Sequence, residues 1–577
     1  MICIDDVRLV SAAPVAAPAF PTDPIVLENE RYRVEVARSN GAISRIRDRV
    51  TGTEIITEPR LADNWRISLP IVPTRRREGW RNHEGNYILG RDQRLTSHQV
   101  TAAGLDLFWK GPLTSEDGRT WPVRVRMRIA PDREGLSFTL KVQNGTKNEI
   151  GEIAYPVIGG LTGIGPTAIA RQGTTLTVPA GTGAQSTRPF HTFNNMSWFG
   201  VFGPEQHYPY PTNLSMPWIS LAGSGTTIYF GSHDPIARLK VFHLEMSPGV
   251  TGPRPGGNWP KPDELHGRPA GVRMSWVHIA YHPKGTTFDG PPVFLHSHAG
   301  SIAGSARIYG EWLKRSAIKP RPPAPAWKMV PRMPFADLPS QARAARNDGV
   351  KVLLLTGWRS GSPKDGDPTL VPDPQLGGDE GLRQAVQECR KLGVAVYVEC
   401  PINPVSQRTR AFAALKDFVC EDRWGIPYSQ LGWSAPRCTA EALSTGERRV
   451  WLNAGHAGYR AVLTREMERL AQLGVAGARF VGLFGQPLDF NAGLDMLPDS
   501  ASWEGVLRTL EAMTEAARRH VPGFAIVLDE PYDFLGYVPV HAGQPPADGS
   551  PLAVALESGT DRRRDPVPSG SGGAVRH

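Results

Sequence analysis

The segment Val350–Glu399 reads VKVLLLTGWRSGSPKDGDPTLVPDPQLGGDEGLRQAVQECRKLGVAVYVE. Its two apolar runs, Val350–Leu355 and Val394–Val398, show no alternation of polar and apolar residues, which is typical of strands covered on both faces. Between them, apolar residues recur at helical spacing up to Gly393, and glycine is favoured just beyond the end of a helix. This order predicts a βαβ unit of a parallel sheet or of a β/α barrel.

A long polar loop follows the first of these strands. It spans about twenty residues, whereas roughly 2–6 residues connect a strand to a helix in most α/β units. Barrel enzymes carry their active sites on the loops at the carboxyl ends of their strands. We therefore expect a functional site at this loop.

The same pattern continues through the carboxyl-terminal half of the chain. Strands are predicted to start near residues 327, 350, 394, 478 and 524, with a sixth around Val450–Leu452. Helices are predicted over Asp337–Asn347, Tyr459–Leu473 and Trp503–His520. Because a closed barrel needs eight strands, we expect residues 327–540 to form an irregular or incomplete (β/α)8-type barrel.

The amino-terminal half, residues 25–318, has the pattern of antiparallel strands. The alternating run Tyr32–Val36 is followed by the turn dipeptide Asn40-Gly41, and similar runs recur along this half. Helical spacing of any length appears there only over Ser305–Ser316. The sequence therefore predicts an α+β multidomain protein, with a large antiparallel sandwich joined to the barrel by the proline-rich linker Lys319–Ala326.

Length and composition exclude several classes of protein. The chain has 577 residues, and single cores stop growing at roughly 250–300, so we expect two large domains. The net charge is +9, but the basic residues are scattered and no nucleic-acid-binding motif is present, so we expect no nucleic-acid partner. No run reaches the roughly 18 apolar residues of a membrane span. The five cysteines lack CxxC spacing and no His, Asp or Glu cluster has ligand spacing, so we expect no metal ion and no other cofactor.

The two ends of the chain lack periodicity. Residues 1–24 are predicted to be a disordered or leader segment, although Asp5 and Asp6 before a weak apolar run make a poor signal peptide. The chain would be secreted or periplasmic if its true start carries a signal peptide, and cytoplasmic otherwise. Residues 541–577 are rich in Gly, Pro, Ser and Arg and are predicted to be disordered. With the low strand count, they suggest a truncation or a frame change near residue 540. The oligomeric state stays open.

Aromatic and amide residues cluster between residues 194 and 218. His207, Tyr210 and Trp218 lie near Asn213 in this stretch. Aromatic rings beside amides suit a carbohydrate, because a sugar ring offers a C–H face for stacking and hydroxyls for hydrogen bonds. The alternative is that these side chains form the core of the sandwich.

Several longer segments resemble one protein family. They are LENERYRVEVARSNGAISRIRDRVTG at Leu27–Gly52, NHEGNYILG at Asn82–Gly90, YPTNLSMPWISL at Tyr210–Leu221, YFGSHDP at Tyr229–Pro235 and GW…DP…PDPQLGGDEGLR at Gly357–Arg383. Over residues 25–540 the chain is similar to a group of bacterial glycoside-hydrolase-like proteins of unknown function, which is distantly similar to endo-α-N-acetylgalactosaminidases and α-galactosidases. The resemblance implies a galactose-mutarotase-like β-supersandwich followed by a catalytic β/α barrel.

The resemblance also implies a set of site residues. In such enzymes two carboxylates act as nucleophile and general acid/base, about 5–5.5 Å apart in retaining and about 6.5–9.5 Å apart in inverting enzymes. It implies Glu530 as the general acid/base. Asp489 is the candidate nucleophile, in place of the aspartate that the family carries at a strand tip. The implied substrate-binding residues are Trp358 as a stacking platform and, as hydrogen-bonding groups, Asp365, Asp367, Glu399 and Asp529. The alternatives are a salt bridge to an arginine for Glu530 and a solvated turn for Asp365 and Asp367.

The chain departs from the family at the nucleophile. The family pattern is similar to G-V-Y-L-D-Q at this strand, whereas this chain has GARFVGLFGQP at Gly477–Pro487. The aspartate position falls on Val481 or Gly482, and neither can attack or transfer a proton. Two functions therefore stay open. One is a hydrolase acting on an α-linked, galacto-configured oligo- or polysaccharide by two-carboxylate chemistry, and the other is a non-catalytic glycan-binding relative.

Overall fold

The structure is a computed structural model of the chain. It describes residues 19–69, 86–132, 135–181, 183–192, 205–247, 269–316, 324–361, 366–431, 448–484, 488–530, 532–537 and 540–542.

The amino-terminal part is built mainly from strands. Its strands are β1 Pro24–Glu28, β2 Tyr32–Ala37, β3 Ile43–Asp48, β4 Arg66–Leu69, β5 Asn86–Leu89, β6 Ser97–Thr101, β7 Gly104–Trp109, β8 Leu113–Thr114, β9 Thr120–Trp121, β10 Val123–Asp132, β11 Gly135–Asn144, β12 Glu152–Leu161, β13 Thr175–Ala180, β14 Gly183–Thr187, β15 Glu205–Tyr210, β16 Trp218–Gly223, β17 Thr226–Ser232, β18 Lys240–Ser247, β19 Gly271–His278, β20 Thr287–Asp289 and β21 Val293–Ala299. Its helices are α1 Ala168–Gln172 and α2 Ile302–Arg315.

These strands pair into antiparallel sheets. The larger sheet has the order β14-β13-β16-β17-β21-β11-β10-β7-β6, with β20 beside β11, and a second has the order β15-β18-β19-β12-β4-β5. A third joins β1, β2 and β3. Along β10 the side chains of Val123, Val125 and Met127 are buried while Arg124 and Arg126 are exposed, because successive residues of a strand point to opposite faces. The predicted antiparallel, β-rich part is confirmed.

The carboxyl-terminal part combines strands with helices. Its strands are β22 Trp327–Val330, β23 Val352–Leu355, β24 Ala395–Pro401, β25 Val405–Ser406, β26 Ser429–Leu431, β27 Arg448–Val450, β28 Gly477–Val481, β29 Ala525–Leu528 and β30 Val540–Ala542. Its helices are α3 Leu338–Asn347, α4 Gly378–Lys391, α5 Phe412–Leu415, α6 Ala457–Gln472, α7 Pro498–Ala501 and α8 Glu504–Arg518.

A six-stranded parallel sheet organises this part. Its order is β22-β23-β24-β28-β29-β30, and every neighbouring pair is parallel. The five strands predicted to start near residues 327, 350, 394, 478 and 524 all belong to it. In the described residues no pairing joins β22 to β30, so the sheet has two edges where a closed barrel has none.

The prediction of a sixth strand at Val450–Leu452 was wrong for the parallel sheet. That stretch begins in β27, which pairs antiparallel with β25 and β26 in a separate small sheet. The described sixth strand is β30 instead. A short apolar run has the same composition in either type of sheet, so periodicity could not assign its partner.

The two faces of the parallel sheet differ. On one face, Leu353, Val396, Ala478 and Ile526 join the main core together with helix residues such as Leu382. On the other, a separate cluster contains Val352, Leu354, Tyr397, Ala525 and Val527. The side chains that follow this second cluster at the carboxyl ends of the strands form the candidate site.

The two parts of the chain contact each other directly. The Tyr210 hydroxyl at the end of β15 donates to Asp533 Oδ1 at 2.6 Å, and Tyr309 of α2 donates to Asp533 Oδ2. The Leu239 N–H donates to the Asp499 carbonyl at 2.7 Å. Residues 1–18, 317–323 and 543–577 lie outside the described residues, so the predicted linker, the terminal segments and the domain boundaries at residues 318 and 327 stay a prediction. The predicted boundary at residue 540 falls within β30.

Candidate functional site

Three charged side chains meet at the carboxyl edge of the parallel sheet. Glu399 of β24 lies beside Arg479 of β28, Arg479 lies beside Val527 of β29, and Asp529 follows two residues later. The neighbours of Arg479 in its strand, Ala478 and Phe480, are buried in the main core. Because side chains alternate along a strand, Arg479 projects from the other face. We call Glu399, Arg479 and Asp529 the edge triad.

One guanidinium holds both carboxylates of the edge triad. Arg479 Nη1 lies 2.7 Å from Glu399 Oε2, and Arg479 Nη2 donates to Asp529 Oδ2. Burial lowers the pKa of Arg479, but the hydrogen bonds and charges of Asp529 and Glu399 outweigh it and raise the pKa above its usual value. The triad thus presents two acceptors and a permanent cation at neighbouring strand ends.

Glu530 and Tyr532 extend the triad along the chain. Glu530 is half-buried and directly follows Asp529. Burial, together with the negative charge of Glu530, raises the pKa of Tyr532 to about 12. The Tyr532 ring stacks on Phe534, with centroids 5.4 Å apart and planes 12° from parallel. An aromatic ring therefore lies close to the carboxylate that was predicted to be the general acid/base.

Trp358 does not offer a ring face to a ligand. Its side chain is 1 % exposed, and its indole Nε1 donates to the Glu399 carbonyl at 2.8 Å. The predicted stacking platform is corrected on this point, because a buried ring cannot stack on a sugar. The indole instead ties the loop after β23 to the end of β24, which helps to fix the backbone of Glu399.

Asp367 stabilises the loop in which it lies. Its Oδ1 accepts from the Thr369 N–H at 2.8 Å, while Arg359, 1 % exposed, donates Nη1 to the Thr369 carbonyl at 2.8 Å. These contacts agree with the alternative of a local turn, and a sugar contact through Asp367 stays a prediction. Asp365 lies outside the described residues.

Asp489 is fully buried and accepts hydrogen bonds from groups outside the edge triad. It accepts from the Glu421 N–H at 2.9 Å, from Asn453 Nδ2 at 2.8 Å and from the Asn491 N–H at 2.9 Å. Burial raises the pKa of Asp489, and these hydrogen bonds partly offset the effect. These hydrogen bonds link three loops through the Asp489 carboxylate. Because the side chain is fully buried, its accessibility to a ligand does not support a role as nucleophile, and that role stays a prediction.

Val481 and Gly482 occupy the expected nucleophile position. Val481 ends β28 two residues beyond Arg479 and is 38 % exposed. Gly482 has a φ of +76°, and a Cβ added to it would lie 2.6 Å from the Asn403 carbonyl oxygen. Position 482 is therefore restricted to glycine, and the strand tip carries no carboxylate.

Arg479 and Tyr532 were not among the predicted site residues. A signal for Arg479 was present, because an arginine in the middle of an otherwise apolar strand is rarely buried without a partner. Its partners lie 80 and 50 residues away in the chain, and only the sheet order brings them together. Tyr532 follows Glu530 closely, but its ring contacts depend on the turn that comes after β29.

The described residues contain no group of three or more His, Cys, Asp and Glu side chains placed to hold a metal ion. In the same part of the chain, no helix is long and apolar enough to cross a membrane.

The described residues thus combine a β-rich antiparallel part with a parallel sheet that carries acidic side chains at the carboxyl ends of its strands. No protein-family model matches the chain, and no curated protein sequence matches it significantly.

Comparison with solved structures finds similar folds. The α-N-acetylgalactosaminidase NagBb from Bifidobacterium bifidum in complex with GalNAc has a TM-score of 0.58 and 11% identity, over 88% of this chain and 77% of that one. The ligand-free form has a TM-score of 0.56 and 12% identity, over 88% and 78%. An α-galactosidase variant from Geobacillus stearothermophilus in complex with stachyose has a TM-score of 0.50 and 11% identity, over 92% and 77%. At these identities the similarity concerns the fold, and at that level the predicted resemblance to glycoside hydrolases is confirmed.

Proposed function

We propose that the chain binds a glycan at the carboxyl edge of its parallel sheet and does not cleave it. The observation that carries the proposal is the edge triad: Arg479 pairs with both Glu399 and Asp529, while Val481 occupies the strand tip beside them. The edge thus keeps groups that recognise hydroxyls and lacks a carboxylate where a nucleophile is expected.

The chemistry of these groups fits a sugar. Carboxylates accept hydrogen bonds from hydroxyls, and a guanidinium donates to hydroxyl and ring oxygens. The partly exposed Tyr532 ring supplies an apolar surface beside them, as sugar C–H groups require. Asp367 and Asp365 belong to the loop after β23 and are proposed as further hydrogen-bonding groups.

The proposed ligand is an α-linked, galacto-configured oligo- or polysaccharide. The support is analogy of fold, since NagBb was solved in complex with GalNAc and the α-galactosidase variant with stachyose. We also infer that the parallel sheet is part of an irregular (β/α)8-type barrel over residues 327–540, and that the antiparallel sheets form a β-supersandwich over residues 25–318.

The arrangement is a poor fit to two-carboxylate hydrolysis. That chemistry needs a second carboxylate within about 5–9.5 Å of the first, one of them free to attack or to activate water. Glu399 and Asp529 both pair with Arg479, and Asp489 is buried among three hydrogen-bond donors. Hydrolysis is the second candidate, and the observation in its favour is that the half-buried Glu530 directly follows Asp529 at the same edge.

Binding is tested by calorimetric titration of the full chain with N-acetylgalactosamine, galactose and raffinose. We expect Glu399→Gln and Asp529→Asn to weaken binding at least about tenfold, which corresponds to about 1.4 kcal/mol. The matched control is Asp348→Asn. Asp348 is an exposed aspartate just before β23, so it lies at the amino-terminal ends of the strands of the same sheet. Equal loss of binding in the control, or no loss in either triad variant, would contradict the proposal.

Cleavage is tested separately with a panel of nitrophenyl α- and β-glycosides. We expect no turnover by the unmodified chain on any substrate that it binds. Turnover that disappears in Glu530→Gln would establish the hydrolase instead and would give Glu530 the role of acid/base. Turnover that survives this substitution would remove Glu530 from the mechanism and would also exclude a binding-only protein.

A further inference from the structure

A cavity lies on the six-stranded antiparallel sheet, and its residues are far along the chain from the edge triad. Its volume is about 380 Å³. All six strands of that sheet or the residues next to them line it. The charged and imidazole side chains that line it include Arg66, Arg91, Glu152, His207, His243 and Glu245.

The alternation of the strands explains why this face is polar. In β18, Phe242 and Leu244 point into the main core, whereas Val241, His243 and Glu245 point into the cavity. The same division separates Ile153 from Glu152 in β12. The cavity therefore lies on the sheet face opposite the core, where polar and aliphatic side chains are mixed.

The cations of the cavity are paired with carboxylates. Arg66 Nη1 lies 2.6 Å from Glu245 Oε2, and its Nη2 lies 3.1 Å from Asp63 Oδ2. Arg91 Nη1 lies 2.7 Å from the same Asp63 oxygen. Arg273 Nη1 also lies 3.1 Å from Glu245 Oε1, so three guanidinium groups share these two carboxylates. Because Glu116 and Glu152 line the cavity as well, it has no excess of positive charge for a phosphate or another anion.

Glu152 is the uncommitted acidic group of the cavity. Among the residues that the structure describes, its carboxylate makes no hydrogen bond and no ion pair, although it lines the cavity and is only partly exposed. Burial raises the pKa of Glu152, and the nearby His243 only partly offsets this. Because the Glu152 side chain is half-buried and lines the cavity, its carboxylate keeps its hydrogen-bonding capacity on the cavity side. A hydroxyl-bearing ligand would use that capacity.

Two histidines form a flat wall next to Glu152. His207 of β15 lies directly opposite His243 of β18, and their rings stack with centroids 4.5 Å apart and planes 8° from parallel. The stacked pair offers a flat ring surface beside the carboxylate. The aliphatic side chains of Val241, Val277 and Ile279 supply apolar surface beside this wall.

We propose that this cavity binds one neutral sugar unit, with Glu152 as its hydrogen-bonding group and the stacked rings of His207 and His243 as its flat wall. The volume lies at the lower end of the roughly 300–1,000 Å³ typical of small-molecule sites, which suits a monosaccharide better than a longer chain. Paired arginines, a free carboxyl group, imidazoles and aliphatic carbons select hydroxyls and C–H faces rather than charge. The site shares no residue with the edge triad and does not depend on the function proposed there.

The test is saturation-transfer NMR with D-galactose, D-glucose and N-acetylgalactosamine on the full chain carrying Asp529→Asn, which removes an edge-triad group. We expect at least one sugar to bind, and Glu152→Ala and His243→Ala each to weaken its binding at least tenfold. Glu152→Gln, which keeps the side-chain volume, is the second variant if Glu152→Ala does not fold. The control is Glu30→Ala, because Glu30 is exposed and lies outside the cavity.

The outcomes separate the two sites. Failure of every sugar to bind with a Kd below about 10 mM would overturn the proposal, and so would binding of inorganic phosphate in place of sugar. Sugar binding that is lost only with Asp529→Asn and is insensitive to Glu152→Ala would also overturn it, while supporting the edge triad. Binding that survives Asp529→Asn and falls with Glu152→Ala would establish the cavity even if the edge triad binds nothing.

Discussion

At the scale of single residues, buried carboxyl groups are prominent where the two parts of the chain meet. Asp499, at the start of α7, is 2 % exposed, and burial raises its pKa from 3.8 to about 6. The positive charge of Arg238 lowers this pKa but does not cancel the burial. Asp234 and Lys240 act on the same group from β17–β18, and their opposite charges partly cancel.

The raised pKa of Asp499 makes stability depend on pH in a defined direction. Below about pH 4, Asp499 is protonated in both the folded and the unfolded chain. Between about pH 4 and 6, the unfolded chain has lost this proton while the folded chain keeps it. Stability therefore falls as pH rises through this window, and the cost stays constant above it. We expect Asp499→Asn to change the free energy of unfolding little at pH 4 and to raise it by about 1–3 kcal/mol at pH 8.

The measurement is urea unfolding of both proteins at pH 4 and pH 8. Asp495→Asn is the matched control, because Asp495 is exposed on the same loop. An equal effect of Asp499→Asn at both pH values would show that its cause is packing rather than ionisation.

Residue roles were predicted unevenly from the sequence. Glu399 and Asp529 were predicted to lie at strand ends: Asp529 directly follows β29, whereas Glu399 lies in β24, two residues before its end. The burial of Trp358 was missed, since an indole after a strand has the same sequence pattern whether its ring is exposed or packed. The pairing of Arg479 with Glu399 and Asp529 could not be predicted, because it depends on which strands are neighbours in the sheet.

At the scale of elements, the unit β23–α4–β24 was predicted almost completely. Its strands pair in parallel, and α4 presents Leu382, Val386 and Cys389 to the core, as their helical spacing indicated. Local patterns suffice here because the strand, the helix and the connecting turn all follow from short-range residue preferences. The pairing of β29 with β30 could not be predicted, because it depends on a contact between distant segments.

This unit gives a direct test of the packing. Leu382 is fully buried, so Leu382→Ala should lower the free energy of unfolding by about 2–5 kcal/mol through lost burial and the cavity that it leaves. Gln387→Ala, at an exposed position of the same helix, should change it by less than about 0.5 kcal/mol. Urea unfolding followed by tryptophan fluorescence measures both, and similar effects of the two variants would contradict the orientation of α4.

At the scale of the whole molecule, the contact between the antiparallel and parallel parts includes the buried acid Asp533. Asp533 is 2 % exposed and accepts hydrogen bonds from Tyr210 and Tyr309, which belong to the other part of the chain. Burial raises the pKa of Asp533, and the two tyrosine hydroxyls lower it again. Its N–H also donates to the Ser215 carbonyl at 3.2 Å. The two parts are thus joined by polar groups that neither part could satisfy alone.

Removing the two hydroxyls should therefore weaken the whole molecule. Each of Tyr210→Phe and Tyr309→Phe should lower the free energy of unfolding by about 1–3 kcal/mol, because a buried carboxyl group loses a partner. The loss of free energy of unfolding in the double variant should differ from the sum of the two single losses, because both hydroxyls bond to the same carboxylate. Two distant, independent sites would give additive losses. Tyr208→Phe is the control, because its hydroxyl bonds to Gln206 within the same strand at 2.9 Å. If Tyr210→Phe costs no more than this control in urea unfolding, Asp533 does not couple the two parts.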